Sequence, residues 1–287
     1  MRCRGWDLRF EDGPKVMGIL NLGADSFSGD GIPDVDRALD RAAQLVAEGA
    51  DVIDLGAESA RTNRGPISEE EEAARLLEFV RRWPGTVPLS INTWRPAVAA
   101  AVFAEGGDLL NDIGALPDDR NARICAETGA ALLIMHSIGQ PKVAHTHVGY
   151  PDVFTALETF FEEKIQMALD AGVSRDAIVL DPGIDFAKQK EDNLRIYREL
   201  DRLHRFGLPI LLPVSRKTVV GEVLGIPNPA DRDAGTVACV VQGILKGAAL
   251  FRVHNVLAAV QTVRTVWPLR QLELASESGG LSAVPSV

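Results

Sequence analysis

The stretch Ile178-Val179-Leu180-Asp181-Pro182-Gly183-Ile184-Asp185-Phe186-Ala187-Lys188 decides the fold class of this chain. Its first three residues are apolar without polar alternation, which is typical of a strand buried on both faces in a parallel sheet. Asp181 follows at the carboxyl end of that strand, and Pro182-Gly183 turns the chain away. Ligands of α/β proteins bind at this edge. Asp181 is therefore either a carboxylate that accepts two parallel hydrogen bonds from an amino-pyrimidine edge, or a residue that caps its own turn.

Seven other apolar segments end in a comparable way, and helical patterns separate them. They are residues 16–20, 52–55, 88–91, 109–110, 130–135, 209–214 and 249–253. Eight strand–helix alternations without a linker predict an α/β fold, and specifically a (β/α)8 TIM barrel. A doubly wound sheet fits less well, because the sequence contains no glycine-rich dinucleotide fingerprint. We expect one barrel domain over residues 1–267, with the last helix ending near Val266. Residues 268–287 are predicted to form a flexible C-terminal tail.

Composition limits the class of partner. The chain has 287 residues, 46% hydrophobic and 24% charged, as is ordinary for a soluble globular protein. A net charge of −10 argues against nucleic acid or an anionic membrane surface as the main partner, but a small anion needs only a local basic cluster. The three cysteines are far apart and lack zinc or redox spacing, which favours reduced thiols and a cytoplasmic protein. No apolar run is long enough for a membrane helix.

The polar residues that follow the predicted strands form a candidate site, because a barrel converges its strand ends on one axis. They are Asn21, Gly56 to Glu58, Asn92, Asn111, His136, Asp181, Ser215 to Lys217 and Arg252 to His254. Asparagines and an aspartate match the donors and acceptors of a polar heterocycle. Lys217, Arg252 and His254 follow adjacent strands, where barrels often bind phosphate. Each could instead be structural, as a helix-start residue, a surface ion pair or a capped core histidine, but their coincidence predicts an anion site.

In order and spacing, the motifs of this chain resemble those of the dihydropteroate synthase family over about residues 15–266. Single motifs are short, and the resemblance depends on their order along one barrel. They are Met17-Gly18-Ile19-Leu20-Asn21, Asp25-Ser26-Phe27-Ser28, Gly49-Ala50-Asp51-Val52-Ile53-Asp54, Glu58-Ser59, Asn111-Asp112-Ile113, Met135-His136, Asp181-Pro182-Gly183 with Phe186 and Lys188, Ser215-Arg216-Lys217, Gly235-Thr236 and Arg252-Val253-His254.

The resemblance implies a transferase of folate biosynthesis, which joins 6-hydroxymethyl-7,8-dihydropterin pyrophosphate to p-aminobenzoate and releases pyrophosphate. It also implies a role for each matching position. The pterin would bind Asn92, Asn111, Asp181 and Lys217; the pyrophosphate would bind Asn21, Arg252 and His254, with Mg²⁺ at Asn21; Phe186, Thr218 and Arg61 would line the aminobenzoate pocket; and Lys217, Arg252 and His254 would be catalytic. Positive charge and Mg²⁺ stabilise the departing pyrophosphate, so no protein nucleophile is required.

The chain departs from the family's usual residues in its loops and at one strand end. Gly23-Ala24 replaces Thr-Pro, Gly29-Asp30-Gly31 replaces Asp-Gly-Gly, and Gly56-Ala57-Glu58-Ser59-Ala60-Arg61-Thr62-Asn63 replaces Gly-Gly-Glu-Ser-Thr-Arg-Pro-Gly. Asn92 stands where the family has aspartate, and Asp185 and Ala187 stand where it has glycines. We expect Asn92 to face the pterin without the usual charge. The role of Asp185 is open between a functional group and a solvated loop carboxylate.

Other functions share part of this pattern. A non-catalytic or altered-acceptor pterin-binding paralogue would keep the pterin residues. A pterin-dependent methyltransferase has the same barrel, but a methyl-folate donor carries no pyrophosphate for Lys217, Arg252 and His254 to bind. A zinc hydrolase built on His136, His145 and His147 lacks further ligands at a recognisable spacing. The resemblance also implies a homodimer, with the last helices in the interface.

Overall fold

The computed structural model describes residues 1–23, 31–58, 65–143 and 148–277. A short antiparallel hairpin begins the chain, and eight parallel strands follow. The strands are β1 (Arg2–Cys3), β2 (Trp6–Asp7), β3 (Lys15–Asn21), β4 (Val52–Gly56), β5 (Leu89–Asn92), β6 (Leu109–Asp112), β7 (Ala131–Met135), β8 (Ile178–Asp181), β9 (Leu211–Pro213) and β10 (Leu250–Val253). The helices are α1 (Val35–Ala47), α2 (Glu69–Val80), α3 (Pro96–Glu105), α4 (Arg120–Thr128), α5 (Val153–Asp170), α6 (Lys190–Glu199), α7 (Thr218–Leu224), α8 (Asp233–Leu245) and α9 (Val256–Glu277).

The eight parallel strands form a barrel. Their order in the sheet is β8-β7-β6-β5-β4-β3-β10-β9. A parallel bridge between Leu180 and Ile210 joins the two outer strands, and the Leu180 amide donates to the Pro209 carbonyl at 3.0 Å. The predicted (β/α)8 TIM barrel is confirmed, and the carboxyl ends of all eight strands lie at one face.

The local sequence explains why the elements form where they do. All five residues of β7 are buried, as expected for a strand with apolar contacts on both faces. Helix α1 begins at Asp34, whose side chain accepts from the Arg37 amide at 2.9 Å, and it buries one apolar stripe against the sheet. The core therefore lies inside the barrel and between the strands and the surrounding helices.

The prediction that the last helix ends near Val266 is wrong, because α9 continues through Pro268 to Glu277. Proline usually stops a helix. Here Trp267 packs against the N-terminal segment, 3.1 Å from the position that a Cβ on Gly13 would take, so tertiary contacts support this part of the helix. The sequence patterns also miss the hairpin β1–β2 and helix α7. A flexible tail stays a prediction, and residues 278–287 lie outside the described residues.

In the ranges that the structure describes, we find no helix that is both long and apolar enough to span a membrane.

Candidate active site

Strand register places four of the predicted positions in one row across the barrel mouth. Asn21 pairs with Gly56, Gly56 with Asn92, and Asn92 with Asn111. The row therefore carries three carboxamides on four adjacent strands. Gly56 contributes no side chain, and a Cβ placed there would lie 3.6 Å from the Asn21 Oδ1 atom. Asn21 is half-buried, and Asn92 and Asn111 are buried.

Asp54 lies one layer deeper in β4 and joins this row to β10. It is fully buried. One oxygen, Oδ1, accepts from Ser90 Oγ at 2.6 Å and from Asn111 Nδ2 at 3.1 Å, while Oδ2 accepts from Arg252 Nε at 2.7 Å. A single carboxylate thus fixes a predicted pterin residue and a predicted anion residue. Asp54 is not among the site residues predicted from the sequence, although a charged residue inside an apolar strand run is itself a signal of a buried polar network.

Two carboxamide oxygens in the row have no hydrogen-bond partner. The Oδ1 atoms of Asn92 and Asn111 are buried and unpaired within the described part of the chain. Asp54 fixes the orientation of the Asn111 amide by taking its Nδ2 hydrogen bond. Buried polar atoms almost always have a hydrogen-bond partner. Two buried oxygens without one at a barrel mouth therefore indicate acceptors for the N–H groups of a ligand.

Asp181 lies opposite, at the end of β8. The prediction that it caps its own turn is confirmed, and its binding of an amino-pyrimidine edge stays a prediction. Its Oδ1 accepts from the Gly183 amide at 2.7 Å and so caps its own turn. No other side-chain hydrogen bond to Asp181 occurs in the described ranges, which leaves Oδ2 and a second lone pair of Oδ1 to accept from a ligand. Burial raises the pKa of Asp181 to about 6, although the Gly183 amide and the cations Lys217, Lys188 and Arg252 oppose this shift.

Gly183 makes the turn after β8 possible. Its φ is +68°, and a Cβ there would lie only 2.0 Å from the His136 carbonyl oxygen. A side chain is therefore excluded by both conformation and space. The close approach of two backbones brings β7 and the loop after β8 into direct contact at the pocket.

Lys188 is buried beneath this loop, and the sequence analysis predicts no role for it. Its Nζ contacts His136 Nδ1 at 2.8 Å and the carbonyl oxygens of Gly183 and Phe186 at 3.0 Å. Burial lowers the pKa of Lys188 to about 7, against the opposing effect of Asp181. Burial and then the Lys188 charge lower the pKa of His136 to about 2. An ammonium only donates, so the neutral His136 accepts through Nδ1.

This pairing does not support the zinc hydrolase alternative. His136 is committed to Lys188, and His145 and His147 lie outside the described residues. Over residues 1–23, 31–58, 65–143 and 148–277, no group of three or more histidines, cysteines or carboxylates could hold a metal ion.

A second wall of the pocket consists of the loop after β8 and the start of α7. Lys217 Nζ donates to the Ile184 carbonyl at 2.8 Å and lies 5.1 Å from the centre of the Phe186 ring. The Asp185 carboxylate accepts from the backbone amides of Thr218 and Val219. Asp185 is thus half-buried, and its carboxylate is bound to the first backbone amides of α7. Lys217, Phe186 and Thr218 are brought together as predicted, whereas Arg61 lies outside the described residues.

Some residues after β9 and β10 lie at the pocket, and others contact the surrounding helices. Ser215 Oγ lies 2.7 Å from His254 Nδ1 and accepts from the His254 amide at 3.1 Å, which fixes the imidazole. Arg216 instead donates through Nε to Asp233 at 2.8 Å, at the start of α8. Arg216 thus supports the fold, whereas Arg252 in β10 and the imidazole of His254, which follows β10, lie at the barrel mouth.

Glu58 is one of the predicted strand-end residues, but it contacts neighbouring loops. Its Oε2 forms an ion pair with Arg95 Nη2 at 2.8 Å, and it also pairs with Lys142. Arg95 Nη1 in turn contacts the fully buried Glu72 at 2.7 Å. This charge network holds the bases of the loops after β4, β5 and β7.

The fold and the site together define a class: a TIM barrel with unpaired buried acceptors and basic side chains at the mouth of the barrel. Comparison with known proteins identifies the family within that class. The pterin binding enzyme family model matches residues 17–254. The chain is 35% identical to dihydropteroate synthase of Escherichia coli strain K12 over 256 residues, which cover 88% of this chain and 90% of that protein. It is 37% identical to the Bacillus subtilis strain 168 enzyme over 253 residues, or 87% and 86% of the two chains.

Solved structures agree. Yersinia pestis dihydropteroate synthase in a sulfonamide drug complex superposes with a TM-score of 0.89 at 36% identity, over 95% of this chain and 99% of that chain. The Thermus thermophilus enzyme in complex with 4-aminobenzoate gives 0.84 at 37% identity, over 94% and 99%. The chain belongs to the dihydropteroate synthase family of pterin-binding enzymes. The predictions of the family and of a transferase are confirmed.

Proposed function

We propose that this chain condenses 6-hydroxymethyl-7,8-dihydropterin pyrophosphate with p-aminobenzoate, giving dihydropteroate and pyrophosphate. The observation that carries the proposal is the Asp54 carboxylate, which holds Asn111 on one side and Arg252 on the other. A pterin group and an anion group are thereby fixed side by side, as a substrate made of a pterin joined to a pyrophosphate requires. A pterin pyrophosphate complex and a 4-aminobenzoate complex of the Thermus thermophilus enzyme support both substrates.

In this proposal, the polar edge of the pterin binds the acceptors of the strand row and Asp181. The unpaired oxygens of Asn92 and Asn111 accept N–H groups of the ring. The ionised Asp181 accepts two parallel hydrogen bonds from the amino-pyrimidine edge, and Lys217 donates to a ring acceptor. Because three of these groups lie on strands, their positions are set before the substrate arrives.

The pyrophosphate binds Arg252, His254 and Asn21, and Asn21 would also hold Mg²⁺ bound with it. The residues fit such an ion: Mg²⁺ prefers oxygen ligands and typically takes one or two from the protein and the others from water and substrate phosphates. Asn21 supplies a carboxamide oxygen at the end of the asparagine row. Bound Mg²⁺ would neutralise part of the charge on the pyrophosphate.

The reaction then needs positioning and charge stabilisation more than a protein nucleophile. The lone pair of the arylamine nitrogen forms the new C–N bond at the pterin methylene carbon, while the C–O bond to pyrophosphate breaks. The amine proton is lost to solvent or to the departing pyrophosphate. Arg252 and His254 stabilise the negative charge that develops on the leaving group, and Lys217 holds the pterin. Phe186 and Thr218 line the space for the arylamine.

One assay tests the proposal: pyrophosphate release from dihydropterin pyrophosphate with and without p-aminobenzoate. We expect release that depends on the amine. Release without dependence on it, or none, would contradict the function. Calorimetry with and without Mg²⁺ tests the metal, since equal affinity in both would remove it from the proposal. A homodimer and a cytoplasmic location are further proposals, and gel filtration tests the first.

A further inference from the structure

Asp185 is held in place from two sides, although it lies in a loop. Its backbone amide donates to Asn193 Oδ1, a buried residue of α6, at 2.9 Å. Its carboxylate accepts from the Thr218 amide and, at 3.2 Å, from the Val219 amide. Its φ is +69°, a conformation that costs energy for residues other than glycine. The loop thus keeps the Asp185 backbone in a strained conformation, and in that conformation the carboxylate contacts the start of α7.

The position of the carboxylate matters because of its neighbours. Phe186 follows Asp185 in the chain, and the Thr218 backbone amide donates to the Asp185 carboxylate. Phe186 and Thr218 both line the proposed space for the arylamine. A fixed negative charge therefore stands at the wall of that space. It also occupies two backbone amides that could otherwise donate to an incoming carboxylate.

We propose that Asp185 is a specificity-determining residue of the acceptor pocket, which disfavours arylamines bearing a carboxylate relative to neutral arylamines of the same shape. The inference rests on the proposed function, and it names the acceptor class of that site. Like charges in a partly buried pocket repel, and p-aminobenzoate carries a carboxylate where its amide, p-aminobenzamide, carries none.

Neighbouring cations limit the size of the effect. Lys217 lies 5.1 Å from the Phe186 ring centre, and Lys188 is buried under the same loop. They offset part of the Asp185 charge. We therefore expect a discrimination of about three- to tenfold, smaller than an unscreened pair of buried carboxylates would give.

The strained backbone supplies a matched control. Ala187, two residues on, also has a positive φ, +49°, and also replaces a usual glycine, but it carries no charge. Asp185→Asn removes the charge and keeps a residue that tolerates this conformation. Asp185→Gly removes the charge and the strain, and Ala187→Gly removes strain alone.

The experiment measures kcat/KM for p-aminobenzoate divided by kcat/KM for p-aminobenzamide. This ratio does not depend on the fraction of folded enzyme, so a loss of stability cannot mimic the effect. We expect Asp185→Asn and Asp185→Gly to raise the ratio by about three- to tenfold and Ala187→Gly to leave it unchanged. A ratio that stays constant in Asp185→Asn, or that rises equally in Ala187→Gly, overturns the inference.

Discrimination between the two amines can also be measured without turnover, as the ratio of their dissociation constants. Dissociation constants of the two amines are determined by calorimetry on protein saturated with dihydropterin and pyrophosphate. A wild-type enzyme that releases no pyrophosphate with either amine contradicts the proposed function, whereas the two dissociation constants and their change in Asp185→Asn still test the charge discrimination. The two failures are thus distinguishable.

Discussion

The two walls of the pocket are built in different ways. On the strand wall, formed by β4, β5, β6 and β10, polar side chains bind one another: Asp54 contacts Ser90, Asn111 and Arg252. On the loop wall, formed by residues 181–188 and 215–219, three charged side chains bind backbone groups. Lys188 and Lys217 donate to carbonyl oxygens, and Asp185 accepts from amides.

The difference has consequences for substitution. Residues on the strand wall stand where register puts them, so loss of one leaves buried partners unpaired. Residues on the loop wall hold a backbone that is strained at Asp185, Ala187 and Arg216, which all have positive φ. We expect changes on the strand wall to cost most in stability, and changes on the loop wall to alter binding, pH dependence, specificity and strain.

The largest effect is expected for Asp54→Ala. It leaves Arg252 and Asn111 without their shared carboxylate, and we expect it to lower the free energy of unfolding by about 3 kcal/mol. Urea unfolding measures it. Ser90→Ala is the control, because it removes one hydrogen bond to the same carboxylate and should cost about 1 kcal/mol. Equal losses in the two variants would contradict a central role for Asp54.

Asp181→Asn should weaken pterin binding by about ten- to a hundredfold, because the amide places a donor against the donors of the ring. Asp185→Asn should change pterin affinity little.

The wild-type protein should also lose affinity for the pterin below pH 6, by up to about tenfold per pH unit, because the Asp181 pKa of about 6 means that its carboxyl becomes protonated there. Calorimetry from pH 5 to 8 measures both. Equal weakening in the two variants, or a pH dependence retained in Asp181→Asn, would contradict the assignment.

Lys188 should make the protein more stable as the pH rises from 7 to 9. Its pKa is about 7 in the folded chain and 10.5 unfolded, so the unfolded state holds more protons in this range. Stability should rise by up to about 1.4 kcal/mol per pH unit. The window ends near pH 9, because the buried Cys3 thiol, with a pKa raised to about 12, acts in the opposite direction above it. Urea unfolding at three pH values should show this slope in the wild type and not in Lys188→Met.

Asn92→Asp introduces a carboxylate on the strand wall. Its attraction to the positive charge that develops on the pterin should raise kcat by about five- to thirtyfold, or about 1–2 kcal/mol, once desolvation is subtracted. Pterin affinity should change little. Single-turnover kinetics separate the change in the rate of the chemical step from any change in pterin affinity. A fall in kcat with the fold intact would mean that the neutral Asn92, beside the buried Asp54, is required as it is.

The smallest effect is expected for Ala187→Gly. The left-handed backbone costs alanine about 1–2 kcal/mol, and the greater freedom of glycine in the unfolded chain offsets about 0.5–1 kcal/mol of the gain. The net stabilisation should be about 0.5 kcal/mol by urea unfolding, with kcat unchanged. A destabilised variant would show that the conformation at Ala187 is not strained.

The sequence predicts the barrel and the strand-end positions well, because both depend on local patterns. Apolar runs such as residues 178–180 mark strands, and the first polar residue after each marks the barrel mouth. It predicts helix ends less well. Pro268 indicates a stop, but the packing of Trp267 on the N-terminal segment outweighs the hydrogen bond that proline loses.

By itself, then, the sequence determined the fold, the face that carries the site and the residue types available there. Tertiary structure alone decided which of those residues are partners. Asp54 and Arg252 are 198 positions apart, and only the parallel register of β4, β3 and β10 brings them to 2.7 Å. Lys188 contacts His136 beside the turn at Gly183, and Asp185 accepts from the Thr218 amide within the loop wall. Hydrogen-bond partners between distant segments are set by strand register and loop path, which no local pattern of residues encodes.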